Sequence, residues 1–132
     1  MEGRKGISVL LVDDEKEFIE TLAERLFNRG FDVDCVFSGK ETLERLRDRS
    51  YNAIILDLLM PDMSGVEVFK HALTINASIP IIMLTGHADV KTAMEAMKAG
   101  LFDYMVKPVN IDELISKIEM ADRYCRILDD HH

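Results

Sequence analysis

Short apolar runs recur along the chain at residues 8–12, 31–37, 53–56, 80–84 and 102–106, each rich in Ile, Val or Leu. Runs this short and continuous suit strands buried on both faces, as in a parallel sheet. Amphipathic stretches lie between them. Phe18, Leu22 and Leu26 repeat at one-turn spacing, and Gly30 supplies a stop. Ser38 with Glu41, Ser64 with Glu67 and Asn110 with Glu113 each have the spacing of a capping box. Val90, Ala93, Met94 and Met97 form a further stripe, closed by Gly100. Ile111, Leu114, Ile115 and Ile118 open a last helix that the pattern carries to Leu128. The spacing of Met94, Met97, Met105 and Met120 assigns them to packing, in the core or against an interface, rather than to a cofactor. Five strands alternating with five helices imply parallel strands, right-handed crossovers and helices on both sheet faces. The fold expected is α/β, doubly wound and three-layered.

No Pro-, Ser- or Gly-rich linker and no internal repeat interrupts this pattern, and 132 residues suit one domain with a substantial core. Acidic side chains number 24 against 16 basic ones, for a net charge of -8. That balance argues against this chain binding nucleic acid or an anionic membrane by itself. The apolar run at 7–12 is too short for a signal peptide or a membrane span. Cys35 and Cys125 form no Cys-x-x-Cys, so they suggest neither a disulfide framework nor a zinc site, and a reducing cytoplasm is the expected setting. His71 falls on the solvent side of the expected third helix. Residues 129–132 read as a tail, with His131 and His132 as the start of an expression tag.

Doubly wound folds bind ligands beyond the carboxyl ends of their strands, so the residues after each apolar run carry the chemistry. These are Asp13 and Asp14 after the first run, Asp57 after the third, Thr85 after the fourth and Lys107 after the fifth. Alone, an acidic pair before a helix can be a cap and dipole partner, and a single Thr or Lys can be structural. Polar groups at four strand ends together are hard to produce by capping. Three gathered carboxylates repel unless a cation sits among them, and their hard oxygen donors suit Mg²⁺ rather than zinc or copper. A flavin site would need a Gly- and Ser/Thr-rich phosphate loop after the first strand. Asp13-Asp14-Glu15 would instead repel a phosphate.

With these motifs in place, the chain resembles the receiver domains of two-component response regulators. The resemblance covers essentially residues 8–128, so a receiver domain over 1–128 is expected. It rests on Asp13-Asp14, on Asp57-Leu58-Leu59-Met60-Pro61, on Thr85 and on Lys107-Pro108. The wording of 84–89 and 96–104 looks most like receivers attached to transcription activators. The resemblance implies a flavodoxin-like strand order 2-1-3-4-5. It also implies that Asp57 accepts a phosphoryl group from a sensor histidine kinase, with Asp13, Asp14, Asp57 and the Leu59 carbonyl holding Mg²⁺. Lys107 would pair with the phosphoryl group, and the Lys107-Pro108 bond would be cis. Thr85 and Tyr104 would carry the switch, while Leu59 would tune the phosphoryl lifetime, together with His87 unless it is a surface residue without a role. Leu59 cannot orient water by hydrogen bonding, so slow self-hydrolysis is expected. The expected role is a signalling switch rather than an enzyme, dimerising on phosphorylation through the face of residues 88–128. Tyr124, Ile127 and Leu128 continue the last helix with apolar residues, which favours a domain cut from a longer activator over a stand-alone regulator. The alternative is a metal-dependent phosphohydrolase with an Asp nucleophile, although such enzymes usually place an acid where Leu59 stands.

Overall fold

The computed structural model describes residues 6–130. Strands β1 (Ser8–Val12), β2 (Asp32–Val36), β3 (Ala53–Asp57), β4 (Ile81–Thr85) and β5 (Asp103–Val106) form one sheet in the order β2-β1-β3-β4-β5. Every pairing is parallel. Helices α1 (Lys16–Phe27), α2 (Gly39–Asp48), α3 (Gly65–Ile75), α4 (Val90–Lys98) and α5 (Ile111–Asp130) follow the strands in turn. This is the expected doubly wound, flavodoxin-like architecture.

Successive side chains of a strand point to opposite faces, and here each face has its own core. Leu10 and Val12 of β1 pack with Leu43, Val68, Phe69 and Ala93 from α2, α3 and α4. Val9 and Leu11 pack with Ile19, Leu22, Leu26, Leu114 and Ile118 from α1 and α5. That double burial explains why the central strands read as unbroken apolar runs. Truncating one of these side chains, as in Leu10→Ala, is expected to cost about 2–5 kcal/mol.

The edge strands depart from the expectation of burial on both faces. In β2 only Val36 is buried, and in β5 only Met105. An edge strand has one neighbour, and its helices cover it incompletely. The N-cap half of each capping box forms: Ser38 Oγ accepts from Glu41 N and Ser64 Oγ from Glu67 N, both at 3.2 Å, and Asn110 Oδ1 accepts from Glu113 N at 3.0 Å. Gly30 and Gly100 take the positive φ that ends α1 and α4.

Of the four methionines whose spacing suggested packing in the core or against an interface, only Met105 lies in the core. Met105 is buried, but Met94, Met97 and Met120 are 54%, 37% and 49% exposed. Helix α4 seats Ala93 and Ala96 against the sheet instead, so its buried stripe is rotated from the one the apolar spacing suggested. His71 is exposed, as expected. Helix α5 continues through Asp130, while His131 and His132 lie outside the described residues. Among the described residues, no helix is long and apolar enough to cross a membrane.

Candidate phosphoryl and metal site

Strand register brings the chemistry together. Val12 lies beside Leu56, Asp57 beside Leu84, and Thr85 beside Val106, so four strands end at one level. Hydrogen bonds extend the ladder past these ends. Asp13 N donates to Val36 O at 3.3 Å, Leu58 N to Leu84 O at 2.9 Å, and Lys107 N to Thr85 O at 2.8 Å. Each bond fixes the backbone at or next to a site residue: Asp13, Asp57 and Lys107.

Carboxylate oxygens of Asp13, Asp14 and Asp57 lie within 4.8 Å of one another. Asp13 and Asp57 are buried, whereas Asp14 is exposed. The Lys107 ammonium stands 3.2 Å from Asp13 Oδ2, 3.3 Å from Asp57 Oδ1 and 3.5 Å from Glu15 Oε1. The second oxygen of Asp13 accepts from Glu15 N at 3.0 Å. One ammonium therefore serves a crowd of carboxylates. Burial, reinforced by the Asp13 charge and only partly opposed by Lys107, pushes the Asp57 carboxyl up to about 6. Burial also raises Asp13, against the Glu15 N–H and Lys107. For Lys107, burial acts to lower its pKa, but the Asp57 and Asp13 charges outweigh it and the net shift is upward. The site is short of positive charge, and its clustered hard oxygens fit a partly hydrated Mg²⁺.

Around this cluster stand the other expected residues. Thr85 is buried and its hydroxyl donates to the Gly86 carbonyl at 3.2 Å. Tyr104 is half-buried and packs against the core on the α2–α3–α4 side. Leu59 presents an exposed side chain just past Asp57, and His87 is exposed on a 3-10 turn (His87–Asp89) after β4. The Lys107-Pro108 bond is cis.

Sequence reasoning missed the residues that hold the loop after Asp57. A Cβ at Gly65 would meet the Asp57 carbonyl oxygen at 2.6 Å and Leu58 Cα at 2.8 Å. Only glycine lets α3 start so close to the end of β3, where Gly65 N donates to Leu58 O at 2.7 Å. Asp62 reaches across to α2, its carboxylate accepting from Gly39 N at 3.1 Å and Lys40 N at 3.2 Å. These bonds hold the Asp62 carboxyl below its ordinary range. The missed signal was the Asp-x-Ser-Gly wording of 62–65, an acid and a glycine in a loop otherwise credited only with a capping box.

A parallel sheet ordered β2-β1-β3-β4-β5, with an acidic cluster, a threonine and a lysine at its carboxyl edge, defines the receivers of two-component signalling. The chain belongs to the response regulator receiver domain family, whose sequence model matches residues 9–119. It is 33% identical to the transcriptional regulatory protein ZraR of Escherichia coli O157:H7, covering 94% of this chain and 28% of that protein. It is 39% identical to the transcriptional regulatory protein FixJ of Rhizobium meliloti, covering 89% of this chain and 57% of that protein. The chain thus spans about a quarter to a little over half the length of these regulators. Among solved structures, a receiver domain protein from Clostridium thermocellum superposes with a TM-score of 0.89 at 31% identity, covering 92% of this chain and 98% of the other. FixJ-N superposes with a TM-score of 0.82 at 39% identity, covering 90% and 95%. Receiver domains are phosphorylation-activated signalling switches that interact with histidine kinases, and these matches do not favour the phosphohydrolase reading.

Proposed function

We propose that Asp57 is the phosphoacceptor of this receiver. The observation that carries this reading is the convergence of Asp57 with Asp13, Asp14 and Lys107 within hydrogen-bonding or ligating reach. With its pKa raised only to about 6, Asp57 is mainly ionised at pH 7. It attacks the phosphorus of a phosphohistidine on a sensor kinase: a carboxylate oxygen forms the P–O bond, and the imidazole nitrogen leaves with the P–N electron pair. Asp13, Asp14, Asp57 and the Leu59 carbonyl would hold Mg²⁺, which when bound supplies the positive charge this site lacks and offsets that of the phosphoryl oxygens. Lys107 gives up part of its pairing with Asp57 to pair with the phosphoryl group.

Thr85 and Tyr104 then read the modification. The Thr85 hydroxyl exchanges its Gly86 bond for one to the phosphoryl group, and the Tyr104 ring moves inward. This biases a two-state equilibrium, favouring the state that binds the phosphoryl group better. The switch strengthens self-association through the face of residues 88–128, where Met94, Met97, Met120 and Tyr124 are exposed. Leu59 and His87 flank the route of attacking water. Since Leu59 offers it no hydrogen bond, the adduct persists for many minutes or longer and the domain turns over no other substrate. The receiver extends through 128 and works in the cytoplasm.

Acetyl phosphate with Mg²⁺, read by intact mass, tests the assignment. Wild type is expected to gain one phosphoryl group and Asp57→Ala none. An adduct that survives Asp57→Ala overturns it.

A further inference from the structure

The ammonium of Lys107 has a neighbour that the acidic cluster does not account for. It lies 4.9 Å from the centroid of the Phe18 ring, on the first turns of α1. Phe18 is half-buried and packs against the core shared by α1 and α5, so the ring is held from behind. The Lys107 side chain is 26% exposed and ends a flexible four-carbon stem. Three carboxylates compete for it, and one of them, Glu15, is 67% exposed and draws the ammonium toward solvent. A phosphoryl group on Asp57 needs the ammonium in the cleft, not at the rim.

We propose that Phe18 is a positioning residue for Lys107. The face of its ring carries partial negative charge and attracts the ammonium without neutralising it. Unlike a carboxylate, it cannot take a proton or bind a metal. It therefore narrows the positions of Lys107 while leaving the full positive charge free for an incoming anion. Neighbouring groups are consistent with this division of work. Glu17, the other acid on this turn, is exposed, lines a groove with Phe18, Thr21 and Arg25, and makes no ion pair with Lys107 among the described residues. Asp13 and Asp57 are the buried acids that hold Lys107 before phosphorylation.

This inference rests on the assignment of Lys107 to the phosphoryl site, and the experiment separates the two. Beryllium fluoride, a stable phosphoryl mimic, is titrated with Mg²⁺ into wild type, Phe18→Leu, Phe18→Tyr and Lys107→Ala, with Mg²⁺ affinity measured alone in parallel. The Lys107 ε-methylene protons are followed by NMR, because a ring beneath them shifts their resonances upfield. Phe18→Leu is expected to weaken beryllium fluoride binding about fivefold to tenfold, leave Mg²⁺ affinity within about twofold, and abolish the upfield shift. Phe18→Tyr keeps an aromatic face and restores both readouts. Wild-type affinity in Phe18→Leu, or no upfield shift in wild type, overturns the role of Phe18. If instead wild type and Lys107→Ala bind the mimic equally, the assignment of Lys107 fails, and the NMR signal still reports whether the ring sits against the ammonium.

Discussion

Two groups of acids in this domain, of similar composition, meet opposite fates. On the β2 edge, Asp34 accepts from the Tyr51 hydroxyl at 2.6 Å and pairs with Arg49 at 2.8 Å and Arg45 at 3.4 Å. Arg49 also pairs with Asp32 at 3.5 Å and lies 4.4 Å from the Tyr51 ring centroid. Two acids there meet two guanidiniums and a hydroxyl. At the carboxyl ends of the strands, Asp13, Asp14 and Asp57 cluster around one ammonium, Lys107, which pairs with Asp13, Asp57 and the competing Glu15. The first group closes a sheet edge against unwanted pairing. The second is left short of cations, and that deficit is what a metal and a phosphoryl donor can use. Matched charge makes structure and unmatched charge makes a site.

The contrast breaks if removing charge from both groups has the same sign. The largest effect is expected from Asp57→Asn in chelator. Burial and the Asp13 charge raise folded Asp57 to about 6 from the ordinary 3.8. The native state therefore binds this proton more tightly than the unfolded chain does. Its stabilising contribution is fully present below about pH 4 and lost as pH rises through 6, an effect of about 3 kcal/mol at most. Denaturant titrations should find Asp57→Asn more stable than wild type at pH 8 by up to that amount, with the gain shrinking toward pH 4. A loss at pH 8 would mean the carboxylate is satisfied after all.

Next comes the metal. At about a hundredfold excess over its Kd, Mg²⁺ is expected to stabilise wild type by about 2.7 kcal/mol. The gain should be much smaller in Asp13→Asn, as thermal melts with and without chelator would show. An equal rise in both proteins would place the cation elsewhere. On the matched side, Asp34→Ala should destabilise by about 1–2 kcal/mol, because it removes the acceptor of the Tyr51 hydroxyl and loosens two arginines. Its labelling by acetyl phosphate should match wild type. Slower labelling in a folded Asp34→Ala would couple the two groups and end the distinction. The smallest effect falls to Asp62→Ala, which removes the acceptor of two α2 N–H groups and should cost about 1 kcal/mol. Its Mg²⁺ affinity sharpens the picture, since the loop it tethers carries Leu59.

Local chemistry made much of this molecule legible before any coordinates. Ser38, Ser64 and Asn110 bond the N–H groups three residues on, because a cap depends only on neighbouring backbone. Asp13, Asp57, Thr85 and Lys107 could be singled out as strand-end residues because parallel strands in this fold end at one edge. The tertiary structure decided what spans elements. The strand order, and with it the edge positions of β2 and β5, followed from the family resemblance; that these strands are only partly buried depends on how their helices cover them. That α4 seats Ala93 and Ala96 rather than Met94 and Met97 depends on how closely the helix approaches the sheet. The demand for glycine at position 65, the Asp62 tether, and the carboxylates and aromatic ring around Lys107 depend on gaps between segments distant in sequence. Periodicity and caps are set within a few residues and can be read in one dimension. The charge imbalance and the 4.9 Å approach of a ring to an ammonium exist only once the chain has folded.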